Sequence, residues 1–357
     1  MGKRDGGDPS PRGDDSEKIA AHDADSRRRW PSRRGVLKAV AGSAGVLGAA
    51  RAIDNALLGY GVVVGTNLRD QDLGPLADRG FGPGGNSVPA GDLRVTASTD
   101  AIRIRDGSSY LASFDPTRID AESARARGAE HGIGGVTAEL ARDVGDIAAG
   151  EHTFEFHGLG RFFDRVRNAE ARFHTAGVLR RWPWSADPEL VARFVDADLA
   201  KPEPVLRGLA SGFREHAHYD AGRYVAGAVQ DNVIFGAANL RESFREPVGF
   251  RALLADDGTG MFCYEFTNRS IEALHAVPAP EQRVPVIGAR VMDTRHKHAY
   301  TAVASVVRDG GLRVPMTFVD YTHATMYDDF NARGVLGEGL EAYDDRHRAT
   351  AIDWRPF

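Results

Sequence analysis

The sequence predicts an α+β fold, with a helical layer packed on an antiparallel sheet. Three observations carry that expectation. Residues 158–246 read mostly as helices. Three β-rich runs then follow within 284–320, and Asp309-Gly310-Gly311 joins the last two as a hairpin turn. The composition is that of a globular chain: of 357 residues, 42% are hydrophobic and 27% charged, which excludes wholesale disorder. No stretch of 18 or more apolar residues is free of charge, so a multi-spanning membrane protein is excluded as well.

The net charge of −5 leaves no footprint for nucleic acid, and it conceals an asymmetry. Residues 1–52 carry about +4 and the remainder about −9. The first 31 residues are polar and read as disordered. Ser32-Arg33-Arg34-Gly35-Val36-Leu37-Lys38 and the Ala/Gly-rich run to Ala50 follow, and Ala50-Arg51-Ala52 fits a signal peptidase site. This segment resembles a twin-arginine export signal, although Val36 stands where the pattern prefers Phe. The resemblance implies export of a folded protein to an extracytoplasmic, secreted or signal-anchored location. The translocase would be a transient partner, and the membrane would be met only through the signal segment.

Four segments are expected: the leader 1–52, a mixed region 53–150, a mainly helical part 151–250, and 251–357 with the sheet. Residues 56–64 read as a strand or as the tail of the leader, and Leu73 to Gly91 as a Gly/Pro-rich loop. Leu93 to Ile104 alternates as strands; Asp106-Gly107 turns into a hairpin completed by Tyr110 to Phe114. Ile119 to Ile147 is helical, broken at Gly132 to Gly135. His152 to His157 alternates, and Gly158 to Arg181 reads as a helix stopped by Pro183. Ser185 or Asp187 caps a helix from Pro188 to Ala197, and one or two helices span Pro204 to Phe244. A Gly-rich turn at 256–260 leads to Met261–Phe266 and a helix to about Val277. Val284–Met292, His298–Val307 and Leu312–Asp320 form the sheet, and Tyr327 to Arg348 is helical in part.

The chain has one cysteine, Cys263, so neither an intrachain disulfide nor a cysteine-based zinc or iron–sulfur site can form. A lone thiol in an exported chain is either a space-filler or a group kept for chemistry. Cys263 stands at the start of a predicted helix, where the backbone favours a thiolate and offers N–H groups to an oxyanion. A cysteine nucleophile also needs a base and a group to orient it. A three-residue turn pairs Arg308 with Leu312, so paired residue numbers sum to 620. Asp320 then lies diagonal to His298 on one face of the hairpin, within reach of long side chains. Gly311 suits the left-handed position of such a turn.

Gly260-Met261-Phe262-Cys263-Tyr264, Val284-Pro285-Val286-Ile287-Gly288-Ala289-Arg290-Val291, His298-Ala299-Tyr300 and Val319-Asp320-Tyr321-Thr322 occur in that order. In this, residues 250–325 resemble the transglutaminase-like branch of the papain-type cysteine enzymes. One extra residue separates Gly260 from Cys263, and Tyr321 stands where Pro is common. The resemblance implies a transglutaminase-like, papain-like core with Cys263 as nucleophile, His298 as general base and Asp320 as its orienter. It implies a peptide or amide-containing substrate, hydrolysis or acyl transfer through a thioester, and no metal or organic cofactor. It also requires an upstream oxyanion donor, for which Gln230 and Asn232 are candidates. The alternative is an extracytoplasmic binding or structural protein that keeps the fold without activity. Metal ligation by His216 and His218, by His296 and His298, or by Asp320, His323, Asp328 and Asp329 is a weaker pattern. The Asn268-Arg269-Ser270 sequon lies within the cysteine helix and is expected to be silent.

Overall fold

A computed structural model of the chain describes residues 68–220, 248–255, 258–294, 298–322 and 347–355. The leader, residues 56–64, Gln230 and Asn232, His296, and the expected helix over most of 327–348 lie outside them. The described residues are α+β, and no helix among them is long and apolar enough to cross a membrane.

The described chain opens with a short helix, α1 (Gly74–Asp78), and a four-stranded antiparallel meander. Its strands are β1 (Gly84–Ala90), β2 (Leu93–Ser98), β3 (Ile102–Asp106) and β4 (Ser109–Phe114). Gly91 and Gly107 turn the first and last hairpins at φ of 61° and 54°, backbone open to glycine at little cost. Period-2 alternation turns Val95, Ala97, Ile102 and Ile104 inward. They pack on α2 (Ala121–Ala129) and α3 (Gly134–Ala149) through Ala124, Leu140, Ala141 and Val144. Asp120 caps α2 by accepting from the Ser123 N–H at 2.7 Å, and Gly150 ends α3 in the left-handed region at φ 72°.

Among the described residues the larger sheet has seven strands. Its path runs β13 (Ala351–Asp353), β9 (Ile287–Asp293), β10 (His298–Ala304), β12 (Leu312–Val319), β11 (Val307–Arg308) and β6 (Glu170–Ala171), and β5 (His152–Phe156) pairs with β12. Strands β10 and β11 form one bent ladder on β12. Thr301 pairs with Val319, the Ser305 N–H donates to the Pro315 carbonyl at 2.9 Å, and Arg308 pairs with Leu312, so paired numbers do sum to 620.

Both faces of this sheet are covered. On one side lie α4 (Leu159–Arg167), α6 (Pro188–Val195), α7 (Pro202–His216), α8 (Phe250–Leu253) and α9 (Cys263–Leu274), packed on Val303, Val307, Val319 and Tyr321. On the other, Tyr300, Ala302, Met316 and Phe318 meet Leu68, Leu73, Ala77, Ile147 and Trp354, together with Ala176 and Leu179 of α5 (Phe173–Leu179). Every residue of β10 is therefore buried, a pattern expected of a strand covered on both faces.

The structure corrects the sequence reading at five places. The sheet is mixed, because β5 runs parallel to β12. Its helical cover is on both faces rather than one. Leu73 to Gly91 is not a loop but holds α1 and β1; the latter has few strand-forming residues and is fixed by its pairing with β2. The helix predicted over 158–181 is interrupted, because Ala171 leaves it to pair with Val307. Gly310, at φ 66°, takes the left-handed position of the hairpin turn instead of Gly311, and the Asp309 N–H donates to the Gly311 carbonyl at 3.0 Å.

Candidate active site

Cys263 is the first residue of α9. The preceding strand β8 (Thr259–Met261) pairs in parallel with β7 (Ala217–Tyr219), and the Asp220 N–H donates to the Met261 carbonyl at 3.1 Å. A Cβ at Gly260 would stand 3.1 Å from the Asp220 side chain, so glycine lets the two segments close up. The helix start is built locally. Glu265, buried at the third helical position, accepts from the Phe262 N–H at 2.7 Å and from the Tyr264 hydroxyl at 3.2 Å. In this first turn the N–H of Cys263 has no carbonyl one turn back to bond, and the helix dipole places partial positive charge beside the sulfur.

The face of α9 carrying Phe266, Ser270 and Leu274 packs on the sheet, and the Ser270 and Thr301 hydroxyls share a hydrogen bond of 2.5 Å. This docking sets the helix N-terminus at the end of the sheet where β10 begins with His298 and where the chain leaves β12 at Asp320.

The three residues predicted from sequence are brought together. The His298 Nε2–H donates to Asp320 Oδ2 at 2.5 Å. The other carboxylate oxygen of Asp320 accepts from the Thr322 N–H at 2.9 Å. Cys263 lies close enough to His298 to favour, together with Asp320, the charged form of the ring. All three are buried, at 8%, 9% and 1% exposure for Cys263, His298 and Asp320. Burial alone disfavours an imidazolium; the Asp320 charge and the Cys263 sulfur outweigh it and hold the proton on His298 well above the usual histidine range.

A fourth residue was not legible in the sequence. His347, 2% exposed, brings Nε2 to 3.3 Å from the same Asp320 Oδ2. Its ring stacks on Tyr300 with centroids 4.7 Å apart and lies 5.7 Å from the His298 ring. No spacing rule connects a histidine 49 residues beyond His298 to the hairpin; only the return of the chain into β13 brings it there. His298, Asp320 and His347 are also a group among the described residues able to hold a metal ion, with ligand atoms within 4.8 Å of one another. His216 and His218 diverge instead, the first ending α7 and the second lying in β7.

No protein-family model, no curated protein and no solved structure matches the chain.

Proposed function

We propose that the protein is an enzyme with a cysteine nucleophile, of the transglutaminase-like class, acting on an amide or peptide bond by hydrolysis or acyl transfer. The observation that carries this reading is His298 bonded through Nε2 to the Asp320 carboxylate, while Cys263 at a helix N-terminus adds to what favours its charged form. The α+β arrangement supports it, with a cysteine-bearing helix docked on a sheet in which His298 opens one strand and Asp320 follows another, in chain order.

In this mechanism the Cys263 proton resides on His298, and the sulfur attacks the substrate carbonyl carbon. The C=O pair moves onto oxygen, where first-turn N–H groups of α9 can receive the charge. As the tetrahedral adduct collapses, the C–N bond breaks and His298 gives its proton to the departing nitrogen. A water or amine then attacks the thioester, His298 takes the proton from it, and the Cys263 sulfur leaves with the C–S electron pair. Asp320 fixes the ring and its charge throughout. The twin-arginine resemblance of residues 32–52 supports an exported site of action, with the membrane and the translocase met only through that leader.

The test uses the single thiol. Mass spectrometry of folded protein treated with iodoacetamide at pH 6.5 reads Cys263 alone. An isolated thiol ionises near pH 8.5, so about 1% is thiolate at that pH. His298→Ala is therefore expected to slow alkylation by roughly 100-fold. A wild-type thiol that is as slow as the variant, or inert until denaturant is added, overturns the reading in favour of a non-catalytic binding protein.

A further inference from the structure

We propose that His298, Asp320 and His347 form a regulatory site for a late first-row divalent cation, represented by Zn2+, whose occupancy silences Cys263. The silencing rests on the cysteine-enzyme reading above; the binding does not.

The donor set is two imidazoles and one carboxylate, which suits Zn2+ and leaves a fourth position for water. The three ligand atoms lie within 4.8 Å of one another, and the residues are buried at 9%, 1% and 2% exposure. Tetrahedral zinc with bonds of about 2.0–2.1 Å separates its ligand atoms by about 3.3 Å. His347 Nε2 and Asp320 Oδ2 are already 3.3 Å apart. The His298–Asp320 contact, at 2.5 Å, must open by roughly 0.8 Å to admit the ion.

His347 is held in place by its neighbours. The Tyr300 hydroxyl donates to the Arg348 carbonyl at 2.5 Å, and the Gln71 side chain brackets Ala349, accepting from its N–H at 2.8 Å and donating to its carbonyl at 3.2 Å. The Thr322 N–H fixes the far oxygen of Asp320, as an outer-shell partner orients a metal ligand. Cysteine chemistry needs one imidazole on the aspartate. A second, converging on the same oxygen with its ring packed and its backbone anchored, is what a metal site needs.

Metal entry displaces the proton that His298 shares with Asp320 and releases it to solvent. The Nε2 lone pair of His298 and the Oδ2 lone pair of Asp320 then belong to the cation. The ring keeps one proton, the one received from Cys263, on its other nitrogen, and cannot pass it to a departing nitrogen without becoming an imidazolate on the cation.

The test titrates metal-free full-length protein with Zn2+ by calorimetry and repeats the alkylation assay with Zn2+ bound. One ion per chain is expected, with affinity at least 10-fold weaker in His347→Ala and unchanged in Cys263→Ser. Saturating Zn2+ should release about one proton per ion bound, read from the buffer dependence of the binding heat, and leave the thiol open to iodoacetamide; binding without proton release overturns the displacement. Binding that is unchanged in His347→Ala, or lost in Cys263→Ser, overturns the site. Co2+ added to the unaltered protein gives a readout independent of variant folding. Tetrahedral visible bands without sulfur-to-metal charge transfer are expected, whereas a charge-transfer band would place the ion on the thiol and sink the proposal. A slow thiol in metal-free protein refutes the enzyme reading and leaves the binding result standing; a fast thiol with no Zn2+ bound refutes this inference alone.

Discussion

His298 opens β10 and Asp320 directly follows β12, at the same end of two neighbouring strands. The ladder between them runs from the Ala304–Met316 pair to the Thr301–Val319 pair, and Tyr321 and Thr322 already belong to a helical turn. The side chains meet there, at 2.5 Å. Such a contact depends on the hairpin turn, because a loop shorter or longer by one residue would send the two side chains to opposite faces.

The charge on that contact predicts a pH-dependent cost. His298 holds its proton well above the usual range because, against the penalty of burial, Asp320 and Cys263 favour the imidazolium. A histidine whose folded pKa is raised stabilises the protein fully below the unfolded value near 6.5 and loses that contribution as pH rises through the folded value. Asp320→Asn is therefore expected to destabilise by about 2 kcal/mol at pH 6, the worth of a charge-assisted hydrogen bond. The loss should shrink as pH is raised. Urea unfolding across pH 6 to 9.5 checks it, and a loss that grows toward alkaline pH would exclude this origin.

The docking of α9 on the sheet depends on Gly288. A Cβ there would come within 2.7 Å of the Ile271 Cγ2 methyl, and the Gly288 N–H donates to His275 Nε2 at 2.9 Å. Burial, with Arg180 nearby, keeps His275 neutral and able to accept. Gly288→Ala should cost about 1–3 kcal/mol through overpacking. In a double-mutant cycle Ile271→Ala should relieve part of that cost, with a coupling of at least about 0.5 kcal/mol. Strict additivity would show that the contact is not the cause.

Much of the site was legible because its parts are local. The helix start at Cys263 and the hairpin carrying His298 and Asp320 are each fixed by residues within one turn or one ladder, so period and loop length suffice to place them. His347 was not legible, since its position depends on β13 closing against β9 from a distant part of the chain. The same holds for β5, whose alternation announces a strand but not its parallel pairing with β12. Strand β1 has Gly84, Gly85, Asn86 and Pro89 among its seven residues, a turn-like composition, yet its neighbour β2 supplies the ladder. Tertiary pairing overrides local preference there.

Glu272 sits on the cysteine helix, 2% exposed, paired with Arg269 at 2.5 Å. Burial pushes its carboxyl up to about 7 against the pull of that arginine. An acid whose folded pKa is raised adds no penalty below its unfolded value of about 4.5; the penalty accumulates as pH climbs to about 7 and is constant above it. Glu272→Gln is expected to be near neutral at pH 4.5 and stabilising by about 2 kcal/mol at pH 8. Equal effects at the two pH values, read by chemical unfolding, would refute the account.

Asp143 joins the four-stranded unit to the central sheet. It lies on α3 with no exposed surface; its Oδ2 accepts from Arg172 Nε at 2.8 Å and from the Thr175 hydroxyl at 2.6 Å, and its Oδ1 from Arg308 Nη2 at 2.6 Å. Burial works against both guanidinium charges, and their pKa values are raised nonetheless because Asp143 and its acidic neighbours outweigh that penalty. Removing the carboxylate leaves two largely buried cations facing each other. Asp143→Ala should therefore cost about 3–5 kcal/mol, more than an exposed ion pair whose median worth is about 0–1 kcal/mol. Because the pair is shielded from solvent, the cost measured in 1 M NaCl should stay close to that at low salt. A cost below about 1 kcal/mol, or one that high salt erases, would mean that Arg172 and Arg308 are held by Glu170 and Asp146 alone.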